Sequence, residues 1–201
     1  MRRNRLLETL FDDGTLASET HDMFYGGGIY NGEWKDNHPH GEGRMTFSDS
    51  FVYKGQWKSG KRDGQGTLTF SDGNVYRGQW KDGHRHGEGT CTWPRGDVYK
   101  GQWKNGLFDG GGTLTFSDGE EYKGQWKNGQ RHGEGTQTTS DGDVYKGQWK
   151  SGQFDGEGTC TSPNGAVCKD QWKVNVRHGK DTETCPDGKV VNCIFSSSGK
   201  L

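Results

Sequence analysis

The stretch Tyr53-Lys54-Gly55-Gln56-Trp57 returns as Tyr76-Arg77-Gly78-Gln79-Trp80 and again from Tyr99, Tyr122 and Tyr145, always 23 residues on. A fixed period of this size signals a stacked array rather than a closed globule. The same phase catches Tyr30-Asn31-Gly32-Glu33-Trp34 on one side. On the other it catches Cys168, Asp170 and Trp172, then Val191, Cys193 and Phe195.

With Tyr as phase zero, each unit reads Tyr-x-Gly-x-Trp, a Lys-x-Gly turn, Gly-x-Gly at phases 11 and 13, an alternation of Thr with apolar residues, and x-Asp-Gly. Alternation predicts two strands per unit, with Tyr76, Gly78 and Trp80 on one face and Arg77, Gln79 and Lys81 on the other. The second strand places Gly64, Gly66, Leu68 and Phe70 on the ring face, against Gln65, Thr67 and Thr69. The turn between units sets the register. Pro94-Arg95-Gly96, Pro163-Asn164-Gly165 and Pro186-Asp187-Gly188 stand where other units carry Ser-Asp-Gly. Pro presets φ at the first central residue, Asp or Asn suits the second, and Gly takes the left-handed bulge position. Such a three-residue loop pairs Phe70 with Asn74. It therefore predicts Leu68 opposite Tyr76, Gly66 opposite Gly78, Gly64 opposite Trp80, and Cys160 opposite Cys168. The indoles are expected over glycines, which leave room for rings although each costs roughly 0.5–1 kcal/mol in a strand.

The 201 residues include 36 Gly, only 26% are apolar, and the mean hydropathy is -1.12, which is poor material for a two-layer core. Periodic placement of 8 Trp, 7 Tyr and 9 Phe argues against a disordered chain. With 26 basic and 27 acidic residues the formal charge is -1, so no bulk electrostatic case exists for nucleic acid. No apolar run approaches the ~18 residues of a membrane span, and no apolar stretch follows the basic N-terminus. Five Cys, an odd number, fit a reducing cytoplasm, where they are expected to stay thiols.

These features predict an all-β chain: an elongated, single-layer, twisted antiparallel sheet of about 15–17 strands, roughly 70–80 Å long. Residues 1–29 read as an N-terminal segment with a degenerate capping unit from Leu7, or alternatively as a short helix from Arg5 to Phe11 followed by a loop. Residues 30–190 hold seven tandem units. The seventh is degenerate, with Asp170 and Asp181 in place of glycine. Residues 191–201 form a half-unit cap, as terminal repeats of arrays commonly do. A 46-residue period also shows: phase 10 alternates His40, Asp63, His86, Asp109, His132, Asp155 and His178, while Phe108 recurs at Phe154 and Arg85 at Arg131. That pattern fits growth by duplication of pairs of units.

His38-Pro39-His40 and His84-Arg85-His86 each offer two ligands, but about 19 Å separates the pairs at two strands per unit, so they share no ion. The phase-10 aspartates lie about 10 Å from their histidine neighbours, beyond a hydrogen-bonded dyad. No catalytic constellation, metal site or cofactor is expected, and the chain reads as a non-enzyme.

Two surfaces remain. Lys54, Lys58, Arg77, Lys81, Lys100, Lys104, Lys123, Lys127, Lys146 and Lys150 form a basic stripe on the polar face. It is either a contact for anionic phospholipid or a solvated face whose lysines meet Glu42, Glu88, Glu134 and Glu157 across strands. The ring face has no second sheet to cover it. Leu68, Phe70, Tyr76, Trp93, Tyr99, Leu114, Phe116 and Tyr122 are its expected partner-binding positions, for an extended or helical protein segment lying along the array.

From Tyr30 to Gly158 the pattern Tyr-x-Gly-x-Trp-x-x-Gly-x-x-x-Gly-x-Gly resembles the MORN repeat, the membrane occupation and recognition nexus motif. The resemblance covers about 160 residues and weakens towards both ends. It implies a twisted single-layer sheet of hairpins used as a scaffold for proteins and, in some accounts, phospholipids. Junctophilins, radial-spoke proteins, plant phosphoinositide kinases and a histone lysine methyltransferase carry such repeats, but nothing here resembles their catalytic or transmembrane parts. Small repeat-only members, one of which grips myosin tails, are the nearest in kind. That likeness implies a helical, cytoskeletal or motor-associated partner, and a cytoplasmic location at the cytoskeleton, cilium or membrane periphery.

Overall fold

The computed structural model describes residues 23–195; the expected helix from Arg5 to Phe11 and the part of the expected degenerate unit (7–29) that precedes Met23 lie outside them. The described residues form sixteen strands: β1 (Met23–Tyr25), β2 (Gly28–Lys35), β3 (His38–Phe47), β4 (Val52–Lys58), β5 (Lys61–Thr69), β6 (Val75–Lys81), β7 (His84–Thr92), β8 (Val98–Lys104), β9 (Leu107–Thr115), β10 (Glu121–Lys127), β11 (Gln130–Thr138), β12 (Val144–Lys150), β13 (Gln153–Thr161), β14 (Val167–Lys173), β15 (Val176–Thr184) and β16 (Val190–Phe195). All lie in one sheet in chain order, each antiparallel to its neighbours. Fifteen strand spacings give a sheet about 72 Å long. No described helix is long and apolar enough to cross a membrane.

From β2 onward two turn types alternate. Within a unit, two-residue loops such as Ser59-Gly60 and Asp82-Gly83 hold both residues at positive φ, the type I′ geometry whose twist matches the flanking strands. Between units the three-residue loop closes as the sequence predicts. Phe70 N–H donates to Asn74 O, Gly73 N–H donates to Phe70 O, and Asp72 Oδ1 accepts from Asn74 N–H. Leu68 then faces Tyr76, Gly66 faces Gly78, and Gly64 faces Trp80.

Within the hairpins the ladder slips. Gly55 pairs with Gly66 but Trp57 pairs with Arg62, so Gln56 alone spans Asp63, Gly64 and Gln65, a bulge that simple alternation does not reveal. Gly64 sits there at φ +99°, its missing Cβ turned towards Gln56 rather than towards a ring. The Gln56 amide closes the bulge by accepting from Gln65 N–H at 2.8 Å. Hence the expectation of indoles over glycines needs correction, because the rings above the paired glycines are phenols. A Cβ on Gly66 would land on the Tyr53 ring, and one on Gly89 on Tyr76.

The core of this one-layer molecule is a chain of rings. Each tyrosine packs edge-on between the indole of its own unit and that of the next, from Trp34 and Tyr30 through to Tyr145 and Trp172. Centroids lie 5.0–5.8 Å apart and planes cross at 81–90°. Such pairs are worth about 0.5–1.5 kcal/mol each beyond area burial. The phenols and the five inner indoles satisfy their polar tips within the sheet, while the end indoles Trp34 and Trp172 bury an N–H without a partner. Tyr76 O–H donates to Gln79 O at 2.8 Å, and Trp80 Nε1–H donates to Gly66 O at 3.3 Å.

The ladder pairs Cys160 with Cys168, as the turn chemistry predicts. Both are thiols outside any disulfide and only partly exposed, and burial pushes the Cys160 thiol up to about 11, which keeps its thiolate scarce at neutral pH. Oxidation with copper–phenanthroline at alkaline pH is expected to join these two sulfurs, since directly opposed Cα atoms lie within disulfide reach. Mass spectrometry finding Cys160 bridged to Cys91 instead would contradict the register.

Candidate functional site

The ring face sorts its residues by depth. Tyr76, Tyr99 and Tyr122 are fully buried and Leu68 is 4% exposed, so these four expected contact positions are the floor of the face and offer a partner almost nothing. Phe70, Trp93, Leu114 and Phe116 remain partly exposed. Phe70, Trp93 and Phe116 stand one residue beyond the strands, at the mouths of the three-residue loops, because each closes its turn through its own N–H, to Asn74 O, Asp97 O and Glu120 O. Phe51 extends the row, stacked at 6.5 Å from Phe70. Thr139 and Ser162 hold the equivalent places further on, so the row loses its rings after Phe116.

Two adjoining cavities follow this row. One, about 470 Å³, lies among Trp93, Pro94, Phe108, Leu114 and Phe116 with Asp72, Arg95 and Asp97 at its rim. The other, about 320 Å³, lies among Phe70, Arg85, Cys91, Trp93, Leu107 and Phe108. Trp93 and Phe108, 6.5 Å apart and nearly perpendicular, form the ridge between them.

Phe108 and Arg85 were not among the expected site residues. They sit directly opposite Trp103 and Trp80 in the ladder, which brings phase 9 onto the ring face. Phe108 stacks on Tyr99 at 3.7 Å. Where that phase holds arginine, the guanidinium covers an indole instead: Arg62 lies 4.4 Å from Trp80 and Arg85 4.5 Å from Trp103, attractions of about 0.5–2 kcal/mol. Arg85 also donates to Gly106 O at 3.1 Å. The 46-residue recurrence carried the signal, and the bulge, which adds an even number of residues, preserves the parity that would have placed it.

Burial dominates the electrostatics of this face. It lifts the Tyr30 and Tyr122 phenols to about 12 and those of Tyr53, Tyr76, Tyr99 and Tyr145 further still. It also lowers the Arg62 and Arg131 guanidinium values. Among the described residues no three His, Cys, Asp or Glu side chains converge as metal ligands.

On the opposite face the basic stripe divides in two. Lys54, Arg77, Lys100, Lys123 and Lys146 run down the middle, opposite threonines such as Thr67, Thr90 and Thr113. Lys58, Lys81, Lys104, Lys127 and Lys150 end their strands at the tight turns. All ten are exposed. The expected lysine–glutamate pairing across strands does not occur in the ladder, where Glu42, Glu88, Glu134 and Glu157 face Gln56, Gln102, Gln148 and Gln171.

A search among curated proteins finds no sequence match to this chain. Among solved structures it is similar in fold to the G-box domain of the microcephaly protein CPAP, with TM-score 0.55, 13% identity, and 94% of this chain and 98% of that one covered. Weaker likenesses are the TCP domain of Drosophila melanogaster SAS-4, solved with a proline-rich motif of Ana2 (TM-score 0.48, 9% identity, covering 76% and 83%), and a mutant TCP10 domain of Danio rerio CPAP (TM-score 0.46, 16% identity, covering 94% of each). The MORN repeat model matches residues 30–50, 53–75, 76–98, 99–121, 122–144, 145–167 and 171–190. Seven consecutive matches, on units whose ring chain and turns repeat in register, make this chain a member of the MORN repeat family.

Proposed function

We propose that this array is a protein-binding scaffold whose groove along Phe51, Phe70, Trp93 and Phe116 holds an extended segment of a partner. The carrying observation is the row of half-exposed rings at the turns, which opens onto two adjoining apolar cavities and ends abruptly at Thr139. The groove's ionisable lining, Asp72, Arg85, Arg95 and Asp97, is suited to orienting a chain rather than to breaking bonds.

The period favours one conformation. The turn-closing rings Phe47, which stacks on Phe51 at 4.2 Å, Phe70, Trp93 and Phe116 follow one another two strands apart, about 9.6 Å, and a polyproline II helix returns the same side every three residues, about 9.3 Å. Over three steps the two slip by only about 1 Å. An α-helix repeating every seven residues advances about 10.5 Å per step and slips about 3 Å over the same distance. It is also straight, while the groove follows a sheet that twists by roughly 20° per strand. The three-residue loops and their closing residues from Ser48 to Glu120 carry Asp49, Asp72, Asp97, Asp118 and Glu120 against Arg95 alone, which favours basic side chains on the partner's turn-facing side.

A photo-reactive benzoylphenylalanine in place of Phe116 is expected to cross-link one extended, proline-containing segment reproducibly, while the same probe in place of Arg77, on the opposite face, captures none of it. In the otherwise unaltered chain, Phe70→Ser combined with Phe116→Ser should abolish binding of that segment without lowering the melting temperature by more than a few degrees. Capture of the segment at position 77 and not at 116 would contradict the assignment.

A further inference from the structure

The middle row of the polar face has a composition that the groove on the other side does not explain. Read through the ladder from Arg44 to Thr182, every position is a cation or a threonine: Arg44, Lys54, Arg77, Lys100, Lys123, Lys146 and Lys169, with a threonine between successive cations from Thr67 onward. The cations are exposed and the hydroxyl-bearing residues from Thr67 to Thr159 partly so. One flank is a row of Val and Thr whose only charge from Thr46 to Val190 is Glu121, and Glu121 is held by Thr115 Oγ1–H at 3.3 Å. The other flank sets the exposed Glu42, Glu88, Glu134 and Glu157 among glutamines, so on a chain of formal charge -1 the cations form an unbroken track bordered by a row of acids on one side only.

The twist of the sheet selects what can use that track. It crosses eleven strand steps from β3 to β14, about 53 Å, and turns through roughly 220° on the way, so a planar bilayer meets only a short part of it. A flexible polyanion can follow all of it. The face carries no row of aromatic side chains, so the bases of a single-stranded nucleic acid would have no stacking platform. We propose that the Arg44–Lys169 row binds an acidic, glutamate-rich polypeptide segment along its length, independently of the ring-face groove. An extended chain of about 16 residues spans the track. Carboxylates on the facing side recur about every 6.7 Å against cations about every 9.6 Å, a difference that the long Glu, Lys and Arg side chains take up, and threonine hydroxyls donate to the carboxylates between cations.

The test uses the whole chain and a fluorescently labelled 16-residue oligoglutamate, read by anisotropy. Binding is expected to weaken at least tenfold between low and physiological salt, as interactions among exposed charges do. Lys100→Glu/Lys123→Glu/Lys146→Glu should weaken it at least tenfold more. Lys104→Glu/Lys127→Glu/Lys150→Glu, the same charge change at the turn edge, should cost less than threefold. All six positions are exposed, so unchanged melting temperatures verify that both triples fold. Equal losses in the two triples would reduce the effect to net charge and overturn the track. So would absent oligoglutamate binding, or tighter binding of a 16-nucleotide oligothymidine or of vesicles containing phosphatidylserine.

Discussion

Gly78→Val is expected to unfold the centre of the array while Arg77→Ala, one residue away, leaves the melting temperature within a degree or two. A Cβ on Gly78 would stand 2.5 Å from the Gly89 Cα and 2.6 Å from the Glu88 carbonyl oxygen, with the Tyr76 hydroxyl at 2.8 Å. Two of those obstacles are backbone, so no rotamer relieves them. Two neighbouring strands must part and the Tyr76 phenol must lose its place between Trp80 and Trp103. Overpacking of this kind costs about 1–3 kcal/mol where a core can adjust. Here the added loss of two ring contacts takes the expected total to about 4 kcal/mol. Thermal melts of the two variants decide the matter, and similar midpoints would contradict the face assignment.

Alkaline titration should be equally severe. Six tyrosines donate to main-chain oxygens inside the ring chain, among them Tyr53 to Gln56 O and Tyr99 to Gln102 O. Burial raises all six phenols above the ordinary value of about 10. A group whose proton is held more tightly in the folded state stabilises fully below its unfolded pKa, and that stability is lost as pH rises through the folded one. The window therefore opens near pH 10. With six phenols protonated in the fold and ionised once unfolded, stability falls by up to about 8 kcal/mol per pH unit, comparable with the whole stability of a typical domain. Tyrosinate absorbance and the β-sheet circular dichroism should change together in one steep step above pH 10. A gradual rise in tyrosinate with the sheet intact would show the rings to be accessible.

What the sequence discloses is set by which forces are local. The 23-residue step and the Pro-Asn-Gly and Ser-Asp-Gly turns act over a few residues, so the pairing of Leu68 with Tyr76 and of Cys160 with Cys168 could be read directly. The bulge at Gly64 could not, because it depends on the Gln56 amide reaching Gln65 across the hairpin. With the bulge unseen, the partners of Trp57 and Trp103 went unassigned, and with them Arg62 and Phe108. Depth was equally hidden. Tyr76 and Phe70 read alike as ring-face aromatics, but the Tyr76 hydroxyl finds a carbonyl three residues on and is drawn in, whereas Phe70 has no polar tip to anchor and lies half-buried at the turn against Phe51. Asp170 illustrates both limits. The sequence marks it as a departure from glycine, and the structure supplies the reason. Position 168 is Cys, so no phenol stands over position 170, and the carboxylate enters the space and pairs with Arg177 at 3.2 Å.

From Tyr30 to Tyr145 each phase-zero tyrosine touches one indole of its own unit and one of the next, so the tyrosine–indole link is the same at each join and only the Arg or Phe beside it varies. Excision of residues 99–121 would bring Tyr76 against Trp126 in place of Trp103 and shorten the molecule by two strands, about 9.6 Å, with no ring left uncovered. Insertion of a unit would lengthen it by as much. Such a chain behaves as a ruler graduated in steps of one unit, on which the distance between two bound partners is written in the number of units separating their sites.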